Sequence, residues 1–217
     1  MLWEIIIIIT IFFTYFHIYM MFKVNKNNEI FNFNNTLSKQ NITNEIAYKL
    51  PFYFNMDHLM RETNNGKLIE KHKYYNIYKQ NYENINILEP FVKFYYNNTK
   101  IELKKKNKYL PLEYFKHYRN YYIVHNGSVK ITLIHPKYKE NFIQNNKIIT
   151  NKENIKFIKN NLQFKSVVLN KNQCIFIPNY WIVLVENYDT NSTIELIQFK
   201  SLINELCFIK EKYLSNI

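Results

Sequence analysis

Two glycines and two cysteines are all that this chain of 217 residues contains, and each scarcity removes a class of explanation. With only Gly66 and Gly127, no glycine-rich loop exists to cradle a phosphate, which excludes P-loop and dinucleotide-binding architectures. Cys174 and Cys207 form neither a CxxC pair nor a disulfide framework, and both sit in apolar runs, so they read as small buried hydrophobes in a reducing compartment. Arginine is limited to Arg61 and Arg119, and alanine to Ala47. Base readout and bidentate phosphate contacts draw on arginine. The net charge of +12 and pI near 9.4 therefore do not by themselves point to nucleic acid, which is not expected as a partner. Lys, Asn, Ile, Tyr and Phe all have A/T-rich codons, and a biased genome accounts for the lysine excess as readily as phosphate binding does.

The first long feature is a run without charge. Ile5 to Phe22, "IIIIITIFFTYFHIYMMF", is 18 residues long, near the lower limit for crossing a hydrocarbon layer of roughly 30 Å as a helix. No basic segment precedes it and no small-residue cleavage site follows, so it reads as a transmembrane anchor rather than a signal peptide. Glu4 lies before the run and Lys23 and Lys26 after it, which places the bulk of a single-pass chain in the cytosol. Sequons beginning at Asn34, Asn41, Asn97, Asn126 and Asn191 would then be silent. Residues 1–22 are read as the anchor, 23–44 as a polar tether, and 45–217 as one domain, a length that buries enough surface to fold without metal or disulfide staples.

Within that domain "FNMDHLMRETNNG" suits a short helix capped by Asn55 or Asp57. "GKLIEKHKYYNIYKQNYEN" mixes signals. Beyond Pro90 come short β-like runs, "FVKFYY", "KIEL", "YYIVH", "VKITLI", "KSVVL", "CIFI", "WIVLV" and "TIELIQF", separated by turn residues, which indicates an antiparallel sandwich or barrel. Asn126-Gly127 is the preferred pair for a type I′ turn and predicts a hairpin from Tyr121 to Pro136. Leu202, Ile203, Leu206, Ile209 and Tyr213 recur at helical spacing, predicting a closing amphipathic helix.

Two segments taken in order resemble the cupin-like, Jumonji-type hydroxylase domain, a double-stranded β-helix. In that family an Asn is followed after seven residues by a glycine, as Asn120 is by Gly127 here. Farther on it has "IP, any residue, YWWH" and then an aromatic on the last strand. This chain has Ile177, Pro178, Asn179, Tyr180, Trp181, Ile182 and Val183, with Phe199 sixteen residues beyond. Similar chains are encoded by AT-rich giant DNA viruses. The resemblance implies a mainly β (α+β) jelly roll with flanking helices, in which Asn120, Gly127, Pro178, Tyr180, Trp181 and Phe199 serve the scaffold.

The family's chemistry needs two His and a carboxylate to hold Fe(II) with positions left open for oxygen and 2-oxoglutarate. Counting back from Asn120, the His-x-Asp positions fall on Tyr114 and Lys116; counting forward from Pro111, they fall on Glu113 and Phe115. The distal His falls on Val183, and the oxoglutarate-pairing Lys on Val129, with Lys130 turned to the other face. The resemblance thus implies a catalytically degenerate domain with no metal, no cofactor and no catalytic residue, acting as a membrane-anchored binding or structural module whose protein partner is unknown. Two alternatives stand beside it. One is a divergent oxygenase built on Glu113 and His117 with His125 and His135 nearby. The other is a basic membrane-surface or nucleic-acid binding protein using lysines such as the run Lys104 to Lys108.

Overall fold

In the computed structural model the described residues are 2–33, 37–56, 66–80, 88–90, 95–141, 143–144, 147–148 and 163–201. They form helices α1 (Leu2–Phe22) and α2 (Lys39–Ala47) and strands β1 (Phe31–Phe33), β2 (Phe52–Asn55), β3 (Lys67–Lys71), β4 (Tyr75–Lys79), β5 (Tyr95–Leu103), β6 (Glu113–Tyr114) and β7 (Arg119–Asn126). There follow β8 (Ser128–Ile134), β9 (Ile143–Gln144), β10 (Lys147–Ile148), β11 (Phe164–Asn170), β12 (Gln173–Ile177), β13 (Ile182–Asn187) and β14 (Ser192–Lys200). The short helix expected after Asn55 and the closing helix from Leu202 fall outside the described residues, as does Cys207.

A larger sheet runs β1-β2-β12-β7-β14-β5-β4-β3 and a smaller one β11-β8-β13-β6, with β9 and β10 forming a separate pair. From β5 onward the chain alternates between the two, except that β8 and β11 are neighbours in the smaller sheet. β5, β7, β12 and β14 lie in the larger sheet and β6, β8, β11 and β13 in the smaller. This winding is a double-stranded β-helix. Strand periodicity then sorts the side chains. Tyr122, Val124, Val129, Ile131, Leu133, Val183, Val185, Ile194 and Leu196 form one buried layer between the sheets. Their neighbours Tyr121, Ile123, Cys174, Phe176, Ile197 and Phe199 point outward from the larger sheet and pack with Ile42 and Ile46 of α2 and Phe52 and Phe54 of β2.

Three sequence expectations need correction. Asn126-Gly127 does not close a hairpin: β7 pairs with β12 and β14, whereas β8 pairs with β11 and β13. Of the two turn residues only Gly127 has positive φ, at 73°, so the chain turns a corner from one sheet to the other. Second, the segment 23–44 is not a free tether. Phe31 to Phe33 pair in parallel with Phe52 to Phe54, and Ser38 caps α2 by accepting the Asn41 N–H at 3.2 Å, a signal of the usual N-cap kind. Ile42 and Ile46, four apart, are the apolar face that the polar composition concealed. Third, the segment of mixed signals is the antiparallel pair β3 and β4, continued by pairing of β4 with β5.

The strands define two barrel ends. One carries the corners β7–β8, β11–β12 and β13–β14; the other carries the connections β6–β7 and β12–β13 together with the ends of β8 and α2. The chain arrives from α1 at this second end, where Asn25 donates from Nδ2 to the Tyr48 carbonyl at 2.8 Å and its own carbonyl meets His135 Nε2 at 2.7 Å. The lysine run Lys104 to Lys108 follows β5 at the first end, where the Asn107 N–H donates to the Asn187 carbonyl at 2.8 Å.

A Cβ added at Gly127 would lie 2.4 Å from Ser192 Oγ and 2.7 Å from the Asn191 carbonyl oxygen. Combined with the positive φ, Gly127→Ala is expected to cost about 1–3 kcal/mol of stability, measured by urea unfolding of the full-length chain in nonionic detergent. A loss within about 0.5 kcal/mol of zero would show that the corner accommodates a side chain.

Candidate functional site

The resemblance directs attention to where β6 meets β13. Val183 pairs with Glu113 and Ile182 with Tyr114. Because Val183 belongs to the layer between the sheets, Glu113 faces inward with it. The Tyr122 hydroxyl, reaching from the opposite sheet, donates to Glu113 Oε2 at 3.0 Å. Phe115, two residues on, is also in the inner layer and is buried. Tyr114 instead packs with Leu112, Ile182 and Leu184 on the outer face of the smaller sheet, and Lys116 is exposed. The inward register is therefore Glu113, Phe115 and Val183. Of the two counts, the one through Tyr114 and Lys116 does not face this layer, whereas Val183 does in either count.

These residues do not fit a metal. One carboxylate, a benzyl group and an isopropyl group supply a single donor group where three are needed, and an iron held by one carboxylate competes poorly with water. Among the described residues no group of three or more His, Cys, Asp and Glu side chains is placed to hold a metal ion. The histidines are dispersed. His117 lies in the loop before β7, where its carbonyl accepts from Asn120 Nδ2 at 3.0 Å. His125 points outward from the larger sheet and pairs through Nε2 with Glu195 Oε2 at 2.7 Å; the Asn98 amide donates to the other carboxylate oxygen. His135 is engaged by Asn25 and packs edge-on against Trp181 at 5.2 Å between ring centroids.

The scaffold residues close this end of the barrel. Pro178 and Asn179 follow β12, and Tyr180 takes positive φ (71°) to bring the chain into the other sheet. Trp181 is 1% exposed and lies in the inner layer; Tyr180 packs against Tyr114 at 6.1 Å. Asn120 bridges strands by donating to the Ile177 carbonyl at 3.1 Å and accepting from Gln198 Nε2 at 3.3 Å, and Asn97 Nδ2 continues the chain to Gln198 Oε1 at 3.1 Å. Phe199 lies on the outer face of the larger sheet, 5.3 Å from Tyr96 between centroids. Val129 is fully buried in the inner layer while Lys130 is half-exposed. Cys174 is buried, and burial followed by the nearby Glu195 charge holds its thiol well above the ordinary range, the opposite of an activated nucleophile.

No family model matches the chain, and no curated protein is similar to it. Among solved structures it is similar to the cupin domain of Cnp3 from Schizosaccharomyces pombe at 7% identity and TM-score 0.39, with 61% of this chain and 66% of that one covered. A mutant of Bacillus subtilis oxalate decarboxylase OxdC is similar at 10% identity and TM-score 0.40, covering 62% of this chain and 28% of that chain. Hydroxypropylphosphonic acid epoxidase from S. wedmorenis is similar at 8% identity and TM-score 0.39, covering 64% and 58%. The chain thus spans less than two thirds of the length of each of these proteins. At such distance the likenesses say nothing of ligand or activity, and the assignment of the fold stands on the strand order itself.

Burial pushes the Glu113 carboxyl above its ordinary value of 4.5, and the Tyr122 hydrogen bond pulls it partly back. The folded state then holds this proton more tightly than the unfolded chain, so its contribution to stability is present below the ordinary value and lost as pH rises through the raised one. Glu113→Gln keeps the shape and an acceptor for Tyr122 but cannot ionise. The variant is expected to gain stability relative to wild type as pH rises from about 4 to about 8, in paired urea-unfolding curves; a constant difference between the two would show that Glu113 is not desolvated.

Proposed function

We propose that this chain is a membrane-attached, cupin-like module without catalysis of its own, which acts by binding or as structure. The observation that supports the non-catalytic reading is the inward register at β6 and β13: Val183 lies beside Glu113 on the smaller sheet, Phe115 and Trp181 belong to the same inner layer, and all but Glu113 are buried apolar groups. The positions that would hold a ligand in an oxygenase serve here as packing, which stabilises in proportion to the apolar area removed from water.

Attachment through Ile5 to Phe22 is supported by the character of α1. Its described side chains are apolar on nearly every side and exposed on every side, with Ile8 at 65% and Phe13 at 65%. A helix apolar all round is stable only inside protein or lipid. Among the described residues no helix is long and apolar enough to cross a membrane; the side chains of residues 17 and 20–22 lie outside them. In the proposed arrangement the bulk of the chain is cytosolic. The lysines at 104–108 sit at the barrel end away from α1 and are engaged locally, Lys104 Nζ donating to Asn76 Oδ1 at 2.7 Å and Lys108 lying 4.9 Å over the Tyr74 ring. That placement favours solvated lysines over a membrane-facing or nucleic-acid-binding patch.

Two experiments test the two halves separately. The full-length chain, reconstituted anaerobically with Fe(II), is expected to hold no stoichiometric iron and to consume no 2-oxoglutarate; about one equivalent of iron, lost in Glu113→Gln or on mutating His117, would instead establish the divergent oxygenase. Extraction with alkaline carbonate is expected to leave the chain in the membrane pellet, and release without detergent would refute the anchor.

A further inference from the structure

Three cationic or hydrogen-bond-donating groups converge at the barrel end nearest α1, on the rim of the larger sheet's outer face. Lys49 stands in the turn between α2 and β2 with φ of 57°, and it is 8% exposed. Its ammonium donates to Asn179 Oδ1, a neutral amide, at 3.3 Å. Arg119 opens β7; its guanidinium lies 5.8 Å over the Tyr118 ring, and its Nε is buried without a hydrogen-bond partner. Two residues along the same face, Tyr121 is fully buried; its hydroxyl lies beside the Arg119 side chain, and no acceptor takes its proton. Burial, and next the Arg119 charge, lower the Lys49 ammonium to about 8.

Such a group costs stability unless something negative completes it, since an uncompensated buried charge is among the more expensive features a protein retains. Four of the described carboxylates are held by other groups. Glu195 is engaged by His125 and Asn98, Glu113 by Tyr122, Glu70 by Tyr75, and Glu102 by Tyr78 and Lys100. Neither described ion pair includes Lys49 or Arg119. Among the described residues an ammonium, a guanidinium Nε–H and a phenol O–H at one place lack an acidic acceptor, and three donors match, one oxygen each, an anion with three or four oxygens.

We propose that Lys49, Arg119 and Tyr121 form a binding site for a phosphate-type oxyanion, carried by a free phosphate or by a lipid headgroup. The site lies outside the layer between the sheets, so it goes beyond the non-catalytic reading and stands or falls without it.

The test uses the full-length chain in nonionic detergent, with inorganic phosphate exchanged for chloride at constant ionic strength. Wild type is expected to gain about 5–10 °C in Tm at a hundred times the dissociation constant. Lys49→Met and Arg119→Gln are expected to lose that gain. Tyr121→Phe, which keeps the ring and its packing, is expected to weaken phosphate binding about tenfold or more. A parallel arm compares nanodiscs of phosphatidylcholine with nanodiscs that also contain phosphatidic acid. A gain confined to the second lipid, and lost in the variants, assigns the oxyanion to a headgroup. If neither phosphate nor phosphatidic acid separates wild type from Tyr121→Phe and from whichever cation variants fold, the inference is overturned.

Discussion

Everything in this structure depends on the chain changing sheets at nearly every connection from β5 onward. The apolar layer closes because, apart from the stretch from β8 to β11, which are neighbours in the smaller sheet, strands consecutive in sequence lie in opposite sheets, so most connections turn a corner. In a chain with two glycines that demand falls on unusual residues. Gly127, Asn172 and Tyr180 all take positive φ, at 73°, 68° and 71°, and each sits where one sheet hands the chain to the other. Asparagine tolerates that region through its short polar side chain. Tyr180 does not, and the surrounding packing must hold it there.

The same geometry explains why one carboxylate persists inside an apolar layer. Inward positions on β6 and β13 lie side by side on the smaller sheet, and the larger sheet supplies Tyr122 from the opposite wall. The phenol gives Glu113 a donor, while the desolvation that raises the carboxyl also raises the phenol well above its ordinary value, with the Glu113 charge adding to that. A neutral hydrogen-bonded pair is tolerated among hydrocarbon neighbours in a way that a lone ion is not.

Much of the architecture is legible in the residues, because short runs such as "CIFI" and "WIVLV" carry their own strand signal and "IPNYW" marks a corner. What escaped has identifiable physical causes. Asn-Gly is a local signal for a hairpin, but pairing is decided by which sheet each strand completes, and no local signal reports that. The segment before residue 45 looks like a tether because its apolar residues are few, yet Phe31, Phe33, Ile42 and Ile46 are spaced to reach one face each time. The inward register at β6 was ambiguous from spacing alone. Only the pairing of Val183 with Glu113 resolves it, since an insertion of one residue reverses every side chain on a strand. The Lys49, Arg119 and Tyr121 group was invisible for a different reason: Lys49 lies about 70 residues before the other two, and they meet only through the stacking of α2 and β2 on the sheet.

The clasp on Asn25 sets a mechanical limit. Helix α1 ends at Phe22, and the chain is already gripped by Tyr48 and His135 three residues later. Three extended residues reach about 10 Å at most. Whatever environment surrounds the helix, the barrel can pivot beside it but cannot drift away, and its Trp181 end stays turned toward the helix. The opposite end, with Gly127 and Asp189, lies away from the point where the chain leaves the helix.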